Sequence, residues 1–404
     1  MKYDVVVIGA GPAGSTAAKV LAERGVKVLL LDKQVFPREK PCGGGLPIRA
    51  LERFPYLRTL DVIESYSYGG SVYYSLLEYK ADLQRDNPIL AMVLRKTFDD
   101  GLVRCAIEKG ATFWGGETVV DVKPSEERIV VLLDDGTSLE AELVIGADGV
   151  WSRVAQQMGL SGAHRAVSLC VFQEYPVTKE VLDTFFSEKR LCRIFVQFQD
   201  IIGYGWVFPK KDSVNIGIDE LRIEGERYKG IRNLREAYTQ FFSLLKENGM
   251  IPPGLEMGRI RGAPIPIMPL EKTFGDRVLL CGDAAGFVNP LTGEGLYYAM
   301  ASGELAAGVA VEALAARDMS AGFLRRYQDR WTDEFGVDLR LFLRVYHRWE
   351  RFVKYAYRVV ASDPVLCEMI LDVGVGQTSL RAVRRKALLR FLFAVVNYVV
   401  KRKK

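Results

Sequence analysis

Residues 5–16 read VVVIGAGPAGST: apolar residues of strand type, then Gly9, Gly11 and Gly14 at GxGxxG spacing, then small residues suited to a closely packed helix. Glycine lets the chain turn sharply and lets its backbone approach a pyrophosphate, which then lies at the positive end of the following helix. A second apolar run at 26–31 ends in Asp32, an acid placed to accept hydrogen bonds from a ribose without a 2′-phosphate. Strand, glycine turn, helix and second strand form the opening unit of a Rossmann-like α/β domain that takes a dinucleotide.

Two later segments narrow the dinucleotide. VLLCGDAAG at 278–286 puts Asp283 at the end of a buried strand, before small residues that open a helix, which suits a ribityl chain and pyrophosphate reaching across the sheet. LVIGADGVWSR at 143–153 is another strand ending in Asp-Gly. In this order the three segments resemble the glutathione-reductase-type flavoproteins, in their hydroxylase-like branch, and the resemblance implies FAD as the cofactor.

A chain of 404 residues, 49% of them hydrophobic, can bury a large core and is expected to fold as two interleaved domains. Its six cysteines lie far apart with no CxxC pair, which predicts free thiols and no zinc site. His164 and His347 are the only histidines, so a histidine-based triad or metal centre is not expected. The N-terminal apolar run reads as the first strand rather than a signal peptide. The longest candidate for a membrane span, 391–400, contains Asn397 and falls short of the roughly 20 residues a bilayer requires.

Breakers and periodicity set the expected organisation. A loop rich in Pro and Gly (36–47) leads to a short helix, residues 64–80 are strand-like around a Gly-Gly pair, a strand at 89–94 precedes a helix from Arg95, and a meander at 117–140 turns at Asp134-Asp135-Gly136. A second block of strands at 164–270 carries helices near 178–190 and 231–248. The FAD-binding domain is therefore expected from 1–60, 89–163 and 271–320. An α+β substrate domain is expected from 61–88 and 164–270, with a helical C-terminal region at 321–404.

Within the second block, YGWVFPKKDSVNIG at 204–217 has the spacing YxWxFPKxxxxxxG. Tyr204, Trp206 and Phe208 alternate on a strand and so share one face, an apolar wall for an alkene chain or an ordinary packed core. FPREKPCGGGL at 36–46 and VNPLTGEGLYYAM at 288–300 complete an ordered set of motifs over about residues 1–320. Together they resemble the geranylgeranyl reductase family, flavoproteins that saturate isoprenoid chains. Glu294 between the glycines and the triple glycine after Cys42 lie where family members differ, and neither selects a substrate.

The resemblance implies a site. Gly9 and Gly11 form the turn, Ala13 and Gly14 face the pyrophosphate, and Asp32 and Lys33 face the adenosine ribose. Cys42, Gly43 and Gly45 lie beside the flavin ring. Arg95 contacts the flavin, Val119 offers backbone near adenine, Asp283 takes the ribityl end, and Gly295 and Leu296 lie at the pyrimidine edge. Tyr204, Trp206 and Phe208 line the substrate pocket. Reduction of an isolated alkene needs a hydride from reduced flavin and a proton. Cys42, Tyr204 and water are the candidate proton sources, with Cys42 first and Trp206 stabilising positive charge through its ring. The substrate is then an archaeal-type membrane lipid precursor or the prenyl chain of a quinone or chlorophyll precursor. The electron donor is left open among NAD(P)H, ferredoxin and others. Rival readings are a flavin-dependent monooxygenase or halogenase and a non-catalytic prenyl-lipid escort protein.

Charge is concentrated at the end of the chain: residues 321–404 carry 18 Lys and Arg against 8 Asp and Glu, the remainder 37 against 42. From 339 to 360 apolar residues recur at helical spacing among arginines, and this helix is expected to pack on the body. Residues 381–404 hold nine basic residues and no acid, which suits an anionic membrane surface better than nucleic acid, since no recognition motif accompanies the charge. The protein is expected to be cytoplasmic and peripheral on a membrane.

Overall fold

The computed structural model describes residues 1–402 apart from 75–76, 78, 126, 162–166, 197, 199–202 and 223–232, and describes only the backbone at 79, 221–222, 346–355, 361 and 399–402. His164 and the side chains of His347, Trp349 and Phe352 lie outside the described residues.

The first strand, Lys2–Ile8, is buried along its last four residues, where it lies inside the sheet with a paired strand on each side. It pairs in parallel with Val28–Asp32 on one side and with Ser138–Gly146 on the other, with Val5 opposite Val28 and Leu143. Thr112–Gly115 extends the sheet beyond Val28–Asp32, and Val278–Leu280 extends it beyond Ser138–Gly146, both in parallel. The meander Val119–Pro124, Ile129–Leu133 and Ser138–Gly146 is antiparallel, and its last strand runs without interruption into the parallel sheet. That strand alternates exposed and buried residues at first and then is buried throughout, so one strand serves both architectures.

Helix Pro12–Glu23 packs on helix Leu296–Ala316, and Gly303 brings their backbones together: a Cβ there would fall 2.2 Å from the Ala13 carbonyl oxygen. Among the described residues, Leu296–Ala316 is the one helix long and apolar enough to cross a bilayer, contrary to the expectation that 391–400 is the longest candidate. It is rich in Ala and Gly, and 56% of its apolar window is buried inside the protein, which makes it a core helix.

A second, seven-stranded sheet runs in the order Arg261–Pro266, Val167–Pro176, Ser213–Arg222, Tyr204–Pro209, Cys192–Val196, Gly69–Tyr74 and Tyr79–Gln84. Helix Leu234–Glu247 covers one face through Tyr238, Phe241 and Leu245, packed on Val207, Ile216 and Ile218. Tyr204, Trp206 and Phe208 point to the other face, which turns toward the first sheet's glycine-rich ends. A small sheet of Gly45–Pro47, Ser65–Ser67 and Leu90–Met92 joins the two.

The C-terminal region is helical: Ala321–Trp331, Val337–Ser362, Pro364–Gly374 and Leu380–Arg402. Val337–Ser362 packs on the body as expected, with Leu339, Phe342, Tyr357 and Val359 buried. Pro364–Gly374, which the periodicity did not reveal, is tied to the second sheet by Arg85, paired with Glu368 and, at 3.1 Å, with Asp372.

Candidate functional site

A single cavity of about 980 Å³ runs from the N-terminal end of helix Pro12–Glu23, along the aromatic face of the second sheet, to the C-terminal helices. Its nucleotide end is lined by Gly11, Pro12, Ala13, Lys40, Arg95 and Asp283. Cys42, Gly43, Gly44 and Gly45 form one wall of the middle, opposite Gly295 and Leu296, with Tyr204, Trp206 and Phe208 between.

The glycines divide their work. Gly9 has φ +101°, and a Cβ there would fall 2.3 Å from the Ala147 carbonyl oxygen; a Cβ on Gly14 would fall 1.8 Å from the Gly9 carbonyl oxygen. Gly14 therefore has to be glycine for packing, and it does not line the cavity. Gly11 faces open space, with only Arg38 Nη2 at 3.9 Å from its Cβ direction, and it begins a helix whose first N–H groups have no side-chain cap. Asp32 Oδ2 accepts the Ala10 N–H at 2.8 Å, fixing the acid at the strand end. Lys33 is exposed, Val119 is buried at the start of its strand, and neither lines the cavity.

Sequence reasoning named Arg95 but missed Asp99 and Arg38, which pair behind this opening. Arg95 donates to both oxygens of Asp99 at 2.7 Å, and Arg38 Nη1 lies 2.8 Å from Asp99 Oδ2 but off the hydrogen-bond axis, an ion pair with a donor left over. Burial opposes charge on both Arg95 and Asp99, but their mutual attraction outweighs it. Asp99 is thereby held below the ordinary carboxylate range, and Arg95 above its ordinary value. An open backbone approach, an uncapped helix start and a buried cation with a spare N–H fit a pyrophosphate. The i,i+4 spacing of Arg95 and Asp99 was the available signal.

The aromatic strand is fastened at Tyr204 and Trp206. The Tyr204 hydroxyl donates to the Thr292 carbonyl at 2.5 Å, and burial pushes its phenol well up. Trp206 Nε1 donates to Asn215 Oδ1 at 2.7 Å. In the sheet register Trp206 pairs with Gly217, the last glycine of the motif, where a Cβ would strike the indole at 2.1 Å. Glu294 is largely but not fully buried, pairs with Arg49 at 3.2 Å and accepts the Tyr297 N–H at 2.7 Å; loss of water around it pushes its carboxyl up.

Beneath the Cys42 loop lies a polar cluster. Glu174 accepts from Lys210 Nζ at 3.0 Å, Ser213 Oγ at 2.5 Å and Asn215 Nδ2 at 2.7 Å, while Asn215 Nδ2 also reaches the Cys42 carbonyl at 3.4 Å. Lys210 is 1% exposed, and its ammonium lies 3.0 Å from where a Cβ on Gly44 would be. Lys210→Met strips Glu174 of its only cation in this cluster. It should cost about 3 kcal/mol, near the lower bound for breaking a buried pair because Glu174 is partly exposed. Urea unfolding measures that loss, and faster iodoacetamide labelling of Cys42 reports the loosened loop.

Asp219, also in the cavity wall, accepts the Tyr204 N–H at 2.7 Å and the Ser168 hydroxyl at 3.0 Å. Burial outweighs both bonds and pushes its carboxyl up to about 7. The folded protein thus holds this proton more tightly than the unfolded chain, where the value is about 3.9. Its stabilising contribution is complete below about pH 4 and is lost as pH rises through about 7. Asp219→Asn should be more stable than the parent at pH 8 by on the order of 2–4 kcal/mol and should flatten the decline between pH 5 and pH 8. Thermal unfolding of both proteins across that range checks it.

Residues 2–307 match the FAD binding domain family. The chain is 33% identical over 356 residues to digeranylgeranylglycerophospholipid reductase 2 of Methanopyrus kandleri, covering 85% of this chain and 86% of that one. It is 33% identical to the geranylgeranyl diphosphate reductase of Rhodobacter capsulatus, covering 89% of each. In fold it is similar to a geranylgeranyl bacteriochlorophyll reductase-like protein from Thermoplasma acidophilum, with TM-score 0.75 and 23% identity over 97% of this chain and 96% of that one.

Proposed function

The chain belongs to the geranylgeranyl reductase family, and from that premise we propose that it saturates prenyl double bonds of a lipid held in the long cavity, with the residues of that cavity in the roles below. The observation that carries the reading is the continuity of the cavity from the dinucleotide turn, past the aromatic strand, to apolar helices. A chain of trisubstituted alkenes needs such a dry path, with its reacting carbon beside the Cys42 loop.

Gly11, Ala13 and the start of helix Pro12–Glu23 hold the pyrophosphate of FAD, Arg38 and Lys40 balance its charge, and Asp32 holds the ribose. When bound, reduced FAD supplies the hydride. Trp206 and Phe208 wall the pocket with ring faces that favour the positive charge developing on the more substituted carbon. Tyr204 keeps its proton on the Thr292 carbonyl and positions the 292–295 turn. Of the three thiols in the cavity, burial pushes Cys170 and Cys192 up to about 12, whereas Cys42 sits half-exposed in its glycine loop. Cys42 is the residue assigned to deliver the proton.

The electrons arrive from an external carrier, NAD(P)H, ferredoxin or another donor, and the enzyme works at an anionic membrane surface reached through its basic C-terminal helices. The deciding experiment is anaerobic. The flavoprotein is reduced with dithionite, geranylgeranyl lipid is added, and flavin reoxidation and product mass are followed. Reoxidation matched by two added hydrogens per double bond is the expected result. A flavin that stays reduced until oxygen is admitted would favour a monooxygenase or halogenase.

A further inference from the structure

On the reading of this chain as a prenyl-lipid reductase, we propose that its last three helices form a bilayer-embedded mouth, through which the lipid's chains enter the cavity directly from an anionic membrane. Val345, Ile370 and Leu388, one from each of these helices, line the cavity and are also exposed, at 39%, 43% and 61%. A side chain that does both marks the opening.

Around that opening the surface is apolar where a water-facing helix would be polar. On Leu380–Arg402, Leu389, Leu392, Phe393 and Val396 are 52–69% exposed. With Leu388 they fall at helical steps that cover one side of the helix. The opposite side is also apolar: Ala394 is buried with Val359 and Leu366, and Phe391 and Val395 pack against them. The helix therefore has two apolar faces, one already used by the body and one left over. It is not a loosely attached tail, since Arg390 pairs with Asp363 at 2.9 Å and the Arg381 N–H donates to Asp338 at 2.7 Å.

The chemistry of the rim selects the occupant. Arg381, Arg384, Arg385 and Lys386 are exposed on the first turns of the same helix, and residues 381–404 contain no acid. Apolar side chains beside unopposed cations fit the acyl boundary and the phosphates of an anionic leaflet. A lipid entering there never crosses water, because the inserted face and the cavity mouth are contiguous.

The test uses the full-length flavoprotein with vesicles of phosphatidylglycerol or of phosphatidylcholine. Wild-type protein should co-sediment with the anionic vesicles at least about tenfold more strongly than with the zwitterionic ones. Leu389→Asp/Phe393→Asp and Arg385→Glu/Lys386→Glu should each weaken that binding about tenfold or more, and with it turnover of vesicle-embedded prenyl lipid. Turnover of the same lipid dispersed in detergent should stay within about twofold, since neither pair lines the cavity. Unchanged vesicle binding in the Leu389→Asp/Phe393→Asp protein overturns the docking proposal. So does a change of oligomeric mass in that variant, which would make the face a protein interface. Vesicle binding that responds to the substitutions without any detergent turnover would overturn the reductase reading and leave the docking surface standing.

Discussion

Gly11→Asp is expected to give a folded, colourless apoprotein. The position has room for a side chain, since the nearest atom to its Cβ is Arg38 Nη2 at 3.9 Å, and it is the N-cap of helix Pro12–Glu23, where aspartate is as favourable as any residue. The carboxylate would, however, stand in the cavity where the pyrophosphate must approach the backbone. Two unit charges about 4 Å apart at an effective dielectric near 20 repel by about 4 kcal/mol, which is about a thousandfold in FAD affinity. Visible absorbance of the purified protein and titration of the apoprotein with FAD measure the loss, and unfolding in the absence of FAD should match the parent. Gly14→Ala should behave differently. Its Cβ would collide with the Gly9 backbone at 1.8 Å, so the expected defect is in folding itself. Tight flavin binding by the Gly11→Asp protein would show that the pyrophosphate lies elsewhere.

The contrast between these two glycines shows which parts of the site the sequence reveals. Local pattern identifies the dinucleotide turn, because GxGxxG and the acid after the second strand obey short-range rules of backbone approach and strand length. The second strand begins at Val28 rather than at 26 because the chain there is still turning, with the Lys27 N–H held by Asp4 Oδ2 at 2.9 Å. Alternation likewise reveals that Tyr204, Trp206 and Phe208 share a face. It does not reveal what secures them: Glu174 meets Asn215 only through the register of Val167–Pro176 on Ser213–Arg222, a pairing no local window contains. Lys210 and Asn215 stand inside the quoted motif, yet their role depends on that distant acid. The tail is the clearest case. Basic residues and apolar periodicity identify its helices, but their place in the cavity wall depends on Arg85, nearly three hundred residues earlier in the chain. A helix with two apolar faces also has little amphipathic signal, so Leu380–Arg402 shows its division of labour only when one face is seen to be buried.

Cys42→Ala should keep FAD and prenyl lipid bound while turnover falls about 10²–10⁴-fold, the usual contribution of a positioned acid. The substitution removes one sulfur from a half-exposed position and leaves the loop's supports untouched, since Asn215 reaches the Cys42 carbonyl and not its side chain. The thiol is suited to the task by what it leaves behind. On the proposed reading the anion left after proton transfer shares the cavity wall with the Arg95 guanidinium, an opposite charge. Cys170 and Cys192 are less suited: Cys170 donates to the Ala263 carbonyl, Cys192 donates to Ser67, and burial disfavours ionisation of both. Cys42→Ser, with a far weaker acid in the same place, should be nearly as slow as alanine, so the defect follows acidity and not volume. Single-turnover reoxidation of the dithionite-reduced variants, with lipid binding measured separately, distinguishes loss of proton delivery from loss of the pocket. Rates within about threefold of the parent would instead assign the proton to bound water or to Asp219, whose carboxyl is still largely protonated at pH 6. In that case the pH profile of Asp219→Asn, which the stability measurement already requires, would identify the donor.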